Sequence, residues 1–117
     1  MSVIQGRGSF IGGVFQKAGG QELQSRNPAQ NYDPVFTTVT GDDQIDAAVA
    51  AARGALSEWM ALSQDERNNH LLRLKEQFNA HADEMAERMV LEMGKPLNEA
   101  RGEAASLGAR IDLMIAN

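Results

Sequence analysis

The chain has 117 residues, 43% hydrophobic and 23% charged, with a formal net charge of −5 and no cysteine. That length suits one small domain with an ordinary core, and the composition excludes wholesale disorder. The acidic balance argues against a nucleic-acid partner, and the missing thiol removes disulfides, thiolate metal sites and a cysteine nucleophile from these residues.

The opening Met1-Ser2-Val3-Ile4-Gln5-Gly6 lacks a cationic stretch followed by an apolar run, so no signal peptide is expected. No apolar run reaches the roughly 18 residues a membrane span needs. A cytoplasmic protein that avoids membranes is the expectation. Residues 1–41 hold seven of the eleven glycines and two of the three prolines, and read as strands and turns. Ser9 to Phe15 predicts one strand, Lys17-Ala18-Gly19-Gly20 a turn, and Gln21 to Ser25 the returning strand. Asn27-Pro28 breaks that run, and Asp33-Pro34 marks a second turn. Val35 to Thr40 then has the strongest β-propensity in the chain.

Residues 42–117 are rich in Ala, Leu, Met, Glu and Arg, and read as four helices. Asp43 and Asp46 suit a helix start, where carboxylates cap free amides and favour the dipole. Ile45, Val49, Ala52, Leu56, Trp59 and Met60 follow as one apolar stripe. Ser63-Gln64-Asp65-Glu66 is a capping box opening a helix on which Leu71, Leu74 and Phe78 share a face. Asn79 is expected to cap the third helix, with Ala82, Met85, Ala86, Met89, Val90 and Met93 inward. Gly94 followed by Pro96 stops it. A last helix from about Pro96 carries Leu97, Ala100, Ala104, Leu107, Ile111 and Met114 at helical spacing. Its periodicity runs on to Ile115 without a cap, which reads as a chain cut inside a helix. The fold class is α+β: short N-terminal strands with a hairpin, then about four helices, in a single segment 1–117.

The candidate sites are sparse. Gly6-Arg7-Gly8-Ser9-Phe10-Ile11-Gly12-Gly13 has the glycine density of a phosphate cradle. A cradle needs a strand before it and a helix start after it; here strand and turn follow, so these glycines are assigned to turns and a mobile terminus. His70 and His81 share no helix face and are expected at solvated or rim positions. Met85, Met89 and Met93 recur every four residues and are read as core ahead of a soft-metal site or an adaptable partner groove. Glu84 and Arg88 have the favourable i, i+4 orientation. Glu99 and Glu103 place like charges on one face unless a cation arrives from elsewhere. No catalytic, cofactor-binding or metal residue is assigned.

Taken in order, Phe10-Ile11-Gly12-Gly13-x-Phe15, Arg26-Asn27-Pro28-Ala29, Asp46-Ala47-Ala48-Val49-x-Ala51-Ala52-Arg53 with Trp59, Ser63-x-x-Glu66-Arg67, Leu72 and Leu74, and Glu92-Met93-Gly94-Lys95-Pro96 with Glu99-Ala100 form one series. Over residues 10–115 this series resembles the amino-terminal segment of the NAD(P)-dependent aldehyde dehydrogenase superfamily. Met93 stands where that family more often has Thr. The tail from Glu103 to Ile115 is most similar to the branch acting on succinylglutamate semialdehyde in arginine breakdown.

The resemblance implies a parent about four times this length, with Rossmann-like cofactor, catalytic and oligomerisation parts. It implies that a cysteine attacks the aldehyde, that hydride passes to NAD or NADP, and that glutamate-activated water releases the acid. None of those residues lies in the matched segment. Some members hold a monovalent cation near the position of Glu92, with ligands from beyond the segment. The chain's expected role is a front scaffold, inactive alone, whose partner is the remainder of such an enzyme or a second copy joined through Leu97, Leu107, Ile111 and Met114. The alternative is a free-standing helical interaction module derived from that fold, and a third is a non-functional truncated product.

Overall fold

Gly12 and Gly13, at φ +60° and +85°, cut the Ser9–Phe15 run in two. Both central residues of a two-residue hairpin turn of the kind that matches strand twist need positive φ, which glycine adopts without strain. The expected single strand is therefore a hairpin of β2 (Ser9–Ile11) and β3 (Val14–Gln16), with Phe10 opposite Phe15. The computed structural model describes residues 2–116; Met1 and Asn117, which belong to the expected segment 1–117, lie outside them.

The segment Gln21–Asn27 forms β4, which does not return against β2 or β3. It pairs antiparallel with β5 (Asp33–Thr40), Leu23 facing Thr38, with an irregularity between Ser25 and Arg26. A two-residue strand, β1 (Ile4–Gln5), runs parallel on the other side of β5, giving the order β1-β5-β4. The second turn lies earlier than expected. Asp33-Pro34 is already in the strand, and the chain reverses through Asn31 and Tyr32 at φ 51° and 57°. Buried Asn27 anchors that reversal by accepting the Ala29 N–H at its Oδ1, 2.9 Å away.

All four expected helices are present: α1 (Asp43–Ala61), α2 (Gln64–Ala80), α3 (Ala82–Met93) and α4 (Leu97–Ala116). The Ser63–Glu66 capping box opens α2, and Gly94 in the left-handed region ends α3 with its N–H donated to Val90 O. Two caps differ from expectation. No side chain caps α1; Asp43 and Asp46 lie in its first turn, where their charge favours the dipole. His81, with φ −110°, closes α2 and opens α3, while Asn79 stays helical. Asn79 meets α4 instead, its Oδ1 lying 2.3 Å from where a Cβ on Gly108 would stand.

The core is built from small residues. Ala86, Ala100 and Ala104 let α3 and α4 approach closely, with Ala82, Met85, Met89 and Val90 packed around them. Gly108 and Ile111 continue the buried face of α4. Gly94 seats this bundle on the sheet: a Cβ there would stand 2.9 Å from Pro28 Cγ and 3.1 Å from Ala29. The Asn27-Pro28-Ala29 turn and the Gly94-Lys95-Pro96 stop, distant in sequence, are thus neighbours. Met93, expected inward, is the last residue of α3 and is 59% exposed.

Candidate functional site

The most distinctive surface is on α1. Its apolar stripe forms as the periodicity requires, yet all six of its residues are exposed, the five large ones from 42% at Trp59 to 68% at Met60. The helix is held by a different flank. Gln44, buried at its start, accepts the Ser9 hydroxyl proton (2.7 Å) and donates Nε2–H to Gln16 O (3.2 Å), tying α1 to the β2–β3 hairpin. Beside the stripe an open groove of about 470 Å³ runs toward α2, lined by Ala52, Ala55, Leu56, Glu58, Trp59, Leu62 and His70. The His70 ring lies 5.5 Å from the Trp59 ring, and Arg73 Nη2 donates to His70 Nδ1 at 2.7 Å.

The other sequence candidates do not converge. His81 lies at the α2–α3 junction, 3.4 Å from Glu84 Oε2, so Glu84 turns back toward it and forms no ion pair with Arg88. Glu103 takes the Lys95 ammonium as its cation, which relieves the like charge of Glu99. Met85 and Met89 pack against the alanine core and also line an open groove with Glu84, Arg88 and Glu92. Glu66 is held below the usual carboxylate range by hydrogen bonds from the Ser63 hydroxyl and backbone N–H. Among the described residues no group of three or more His, Asp and Glu is placed to hold a metal.

The glycine segment does not fit a dinucleotide. A Cβ on Gly8 would stand 2.1 Å from Gln16 O, and one on Gly6 2.7 Å from the Thr38 side chain, so both spaces are filled by the chain itself. A strand follows, with no helix N-terminus to meet a pyrophosphate. The four residues of the expected α4 seam do not form one open face either: Ile111 is 5% exposed and Met114 66%. No described helix is long and apolar enough to cross a membrane.

These elements, in this order, define a known fold. Residues 15–116 match the aldehyde dehydrogenase family, and the chain belongs to it. It is 37% identical over 106 residues to the N-succinylglutamate 5-semialdehyde dehydrogenase of Paraburkholderia xenovorans (strain LB400), a match covering 91% of this chain and 22% of that protein. The protein of the same name from Legionella pneumophila (strain Paris) is 32% identical over 115 residues, covering 98% and 23%. Among solved structures, an E. coli NADP-dependent enzyme superimposes with a TM-score of 0.86 at 34% identity, covering 94% of this chain and 23% of that one. The chain thus spans less than a quarter of the length of these relatives.

Proposed function

We propose that this chain is the N-terminal scaffold of an aldehyde dehydrogenase that oxidises succinylglutamate semialdehyde to its acid with NAD or NADP. The observation that carries the reading is the 37% identity sustained over 91% of the chain. The chain's own contribution is mechanical. It offers no thiol to attack an aldehyde, and its glycines are occupied by strand and turn packing. The nicotinamide cofactor would accept hydride in a part of the enzyme that these residues do not build. What they supply is a rigid junction, where the Asn27-Pro28-Ala29 turn and the Gly94 helix end lock a sheet to a bundle. The proposed partner of that junction is the remainder of the enzyme, whose catalytic parts it supports in a cytoplasmic oligomer.

A chimera tests this. The Paraburkholderia enzyme, with its matching stretch replaced by this chain, is expected to be soluble and to reduce NAD or NADP with succinylglutamate semialdehyde in preference to other aldehydes. The 117-residue chain alone is expected to give no turnover. An insoluble or inactive chimera, beside an active control carrying the Legionella stretch, counts against the reading.

A further inference from the structure

The three-stranded sheet ends on β4, whose outer edge no described strand covers. An edge strand presents a row of unpaired N–H and C=O groups, and proteins commonly blunt it with lysine, proline, shortness or a bulge. β4 has none of these. It runs seven residues without lysine or proline, and Gln21 to Gln24 and Arg26 are exposed. Its pairing shifts register because Ser25 faces Phe36 while Arg26 faces Pro34, so the extra residue is Val35 on β5 and β4 itself stays regular. The opposite edge, β1, has only two residues.

The side chains of β4 specify what fits its edge. Glu22, Gln24 and Arg26 alternate onto one face. They already form a row, in which Gln24 Nε2 donates to Glu22 Oε1 at 2.9 Å and Arg26 Nη2 donates to Gln24 Oε1. The row reads acid, amide, base, and an antiparallel copy of it reads base, amide, acid. A two-fold axis centred on Gln24 therefore sets Glu22 of each copy opposite Arg26 of the other. All seven residues pair in this register. Odd positions meet odd and even meet even, so groups pointing outward on one strand face those pointing outward on the other. Moving the centre one residue either way removes both charge pairs. Moving it two sets Glu22 against Glu22 or Arg26 against Arg26, and an in-register parallel copy does both. Opposite charges directly across two strands attract, and like charges repel.

We infer that the β4 edge is a self-recognition surface, on which a second copy of this chain adds its own β4 antiparallel about Gln24. Two three-stranded sheets then join into one of six strands. The contact is isologous and uses the one long edge of each copy, so it closes at two. It needs neither the activity nor the junction proposed above.

The chain has no cysteine, which permits a direct test of register. Position 24 of each copy would face itself with Cα atoms about 4.5–5.5 Å apart, inside the disulfide range, whereas position 21 would lie about 20 Å from its mate. Gln24→Cys is expected to cross-link under mild oxidation, and Gln21→Cys is not. Sedimentation equilibrium of the 117-residue chain is expected to show monomer and dimer in a concentration-dependent balance. Gln24→Lys sets two ammonium groups together at the axis and is expected to raise the dissociation constant about tenfold or more. Ser57→Lys on α1, with the same change of charge, is expected to leave it unaltered. Glu22→Arg is expected to weaken the dimer, and Glu22→Arg with Arg26→Glu to restore it, because the swapped row is still its own complement. Circular dichroism checks that each variant keeps its helices; if a charge variant unfolds, the cysteine comparison decides alone. A chain monomeric at every concentration overturns the pairing, and a chimera made insoluble by Gln24→Lys then gives the edge to a further part of the enzyme. A dimer indifferent to Gln24→Lys, equal cross-linking at positions 21 and 24, or a charge swap no better than Glu22→Arg alone also overturns it.

Discussion

Two aliphatic residues of the chain, alike in sequence pattern, are expected to differ sharply when truncated. Ile111 on α4 is 5% exposed and Leu56 on α1 is 51% exposed. Ile111→Ala removes everything beyond Cβ; at about 0.8 kcal/mol per buried methylene-sized group the transfer loss is about 2.4 kcal/mol. The gap left between α4 and α2 collapses only in part, which raises the total to about 3 kcal/mol. Leu56→Ala removes a side chain already half in water, and alanine favours helix slightly, so the cost is below about 1 kcal/mol. Urea unfolding of the 117-residue chain, followed by circular dichroism at the helix band, measures both. With a slope of roughly 1.5 kcal/mol per molar, Ile111→Ala lowers the midpoint by about 2 M and Leu56→Ala by well under 1 M. If the native chain is worth less than about 3 kcal/mol, the Ile111 variant is unfolded before urea is added, which gives the same ordering. Equal shifts, or a larger one for Leu56→Ala, would refute the reasoning, since α1 would then be packed in the free chain.

Two further outcomes follow from local geometry. Gly108→Ala alone is expected to gain little, because its Cβ meets Asn79 Oδ1, but in an Asn79→Ala background it is expected to stabilise by about 1 kcal/mol through helix propensity; a thermal-melt double-mutant cycle reads the coupling. Glu66 has a folded pKa below its unfolded one, so the stability it adds is present above the ordinary glutamate range and is lost as pH falls through the folded value; Ser63→Ala, which removes the main cause, is expected to flatten that acid dependence of helix content, and an unchanged profile speaks against the capping box as its source.

The helices were legible because their signals are local. The Ser63–Glu66 capping box, the Gly94-Lys95-Pro96 stop and the four stripes each lie within a few turns of one helix. Sites of burial were less legible, because a periodic stripe states that a face is apolar and not what covers it. The stripes of α1 and α4 look alike in sequence, yet in α4 a line of Ala100, Ala104, Gly108 and Ile111 is covered by α2 and α3, while that of α1 faces outward. The strands suffered more. Gly12-Gly13 is a hairpin turn by its own chemistry, but apolar residues on both sides made Ser9–Phe15 read as continuous. The parallel partner of β5 is only Ile4–Gln5, set by a distant pairing that no local window contains. Asn79 has the residue type of a cap, but its role is decided by a glycine on another helix.

The elements are joined by close approaches, at Ala86 against Ala100 and Ala104, at Gly108 against Asn79, and at Gly94 against Pro28 and Ala29. Such approaches bury little apolar area each, and no large side chain is fully buried among the described residues. A domain that had to stand on hydrophobic burial alone would place its Trp, Leu and Ile side chains inside and its alanines at the margins. Here the large apolar side chains of α1 lie outside and the small residues within. The molecule is also stretched, with a radius of gyration of 17.3 Å where a compact chain of this length has about 13 Å. Small residues inside fix the relative position of helices and sheet, and large apolar residues of α1 lie at the surface. That division is what the scaffold role proposed above calls for.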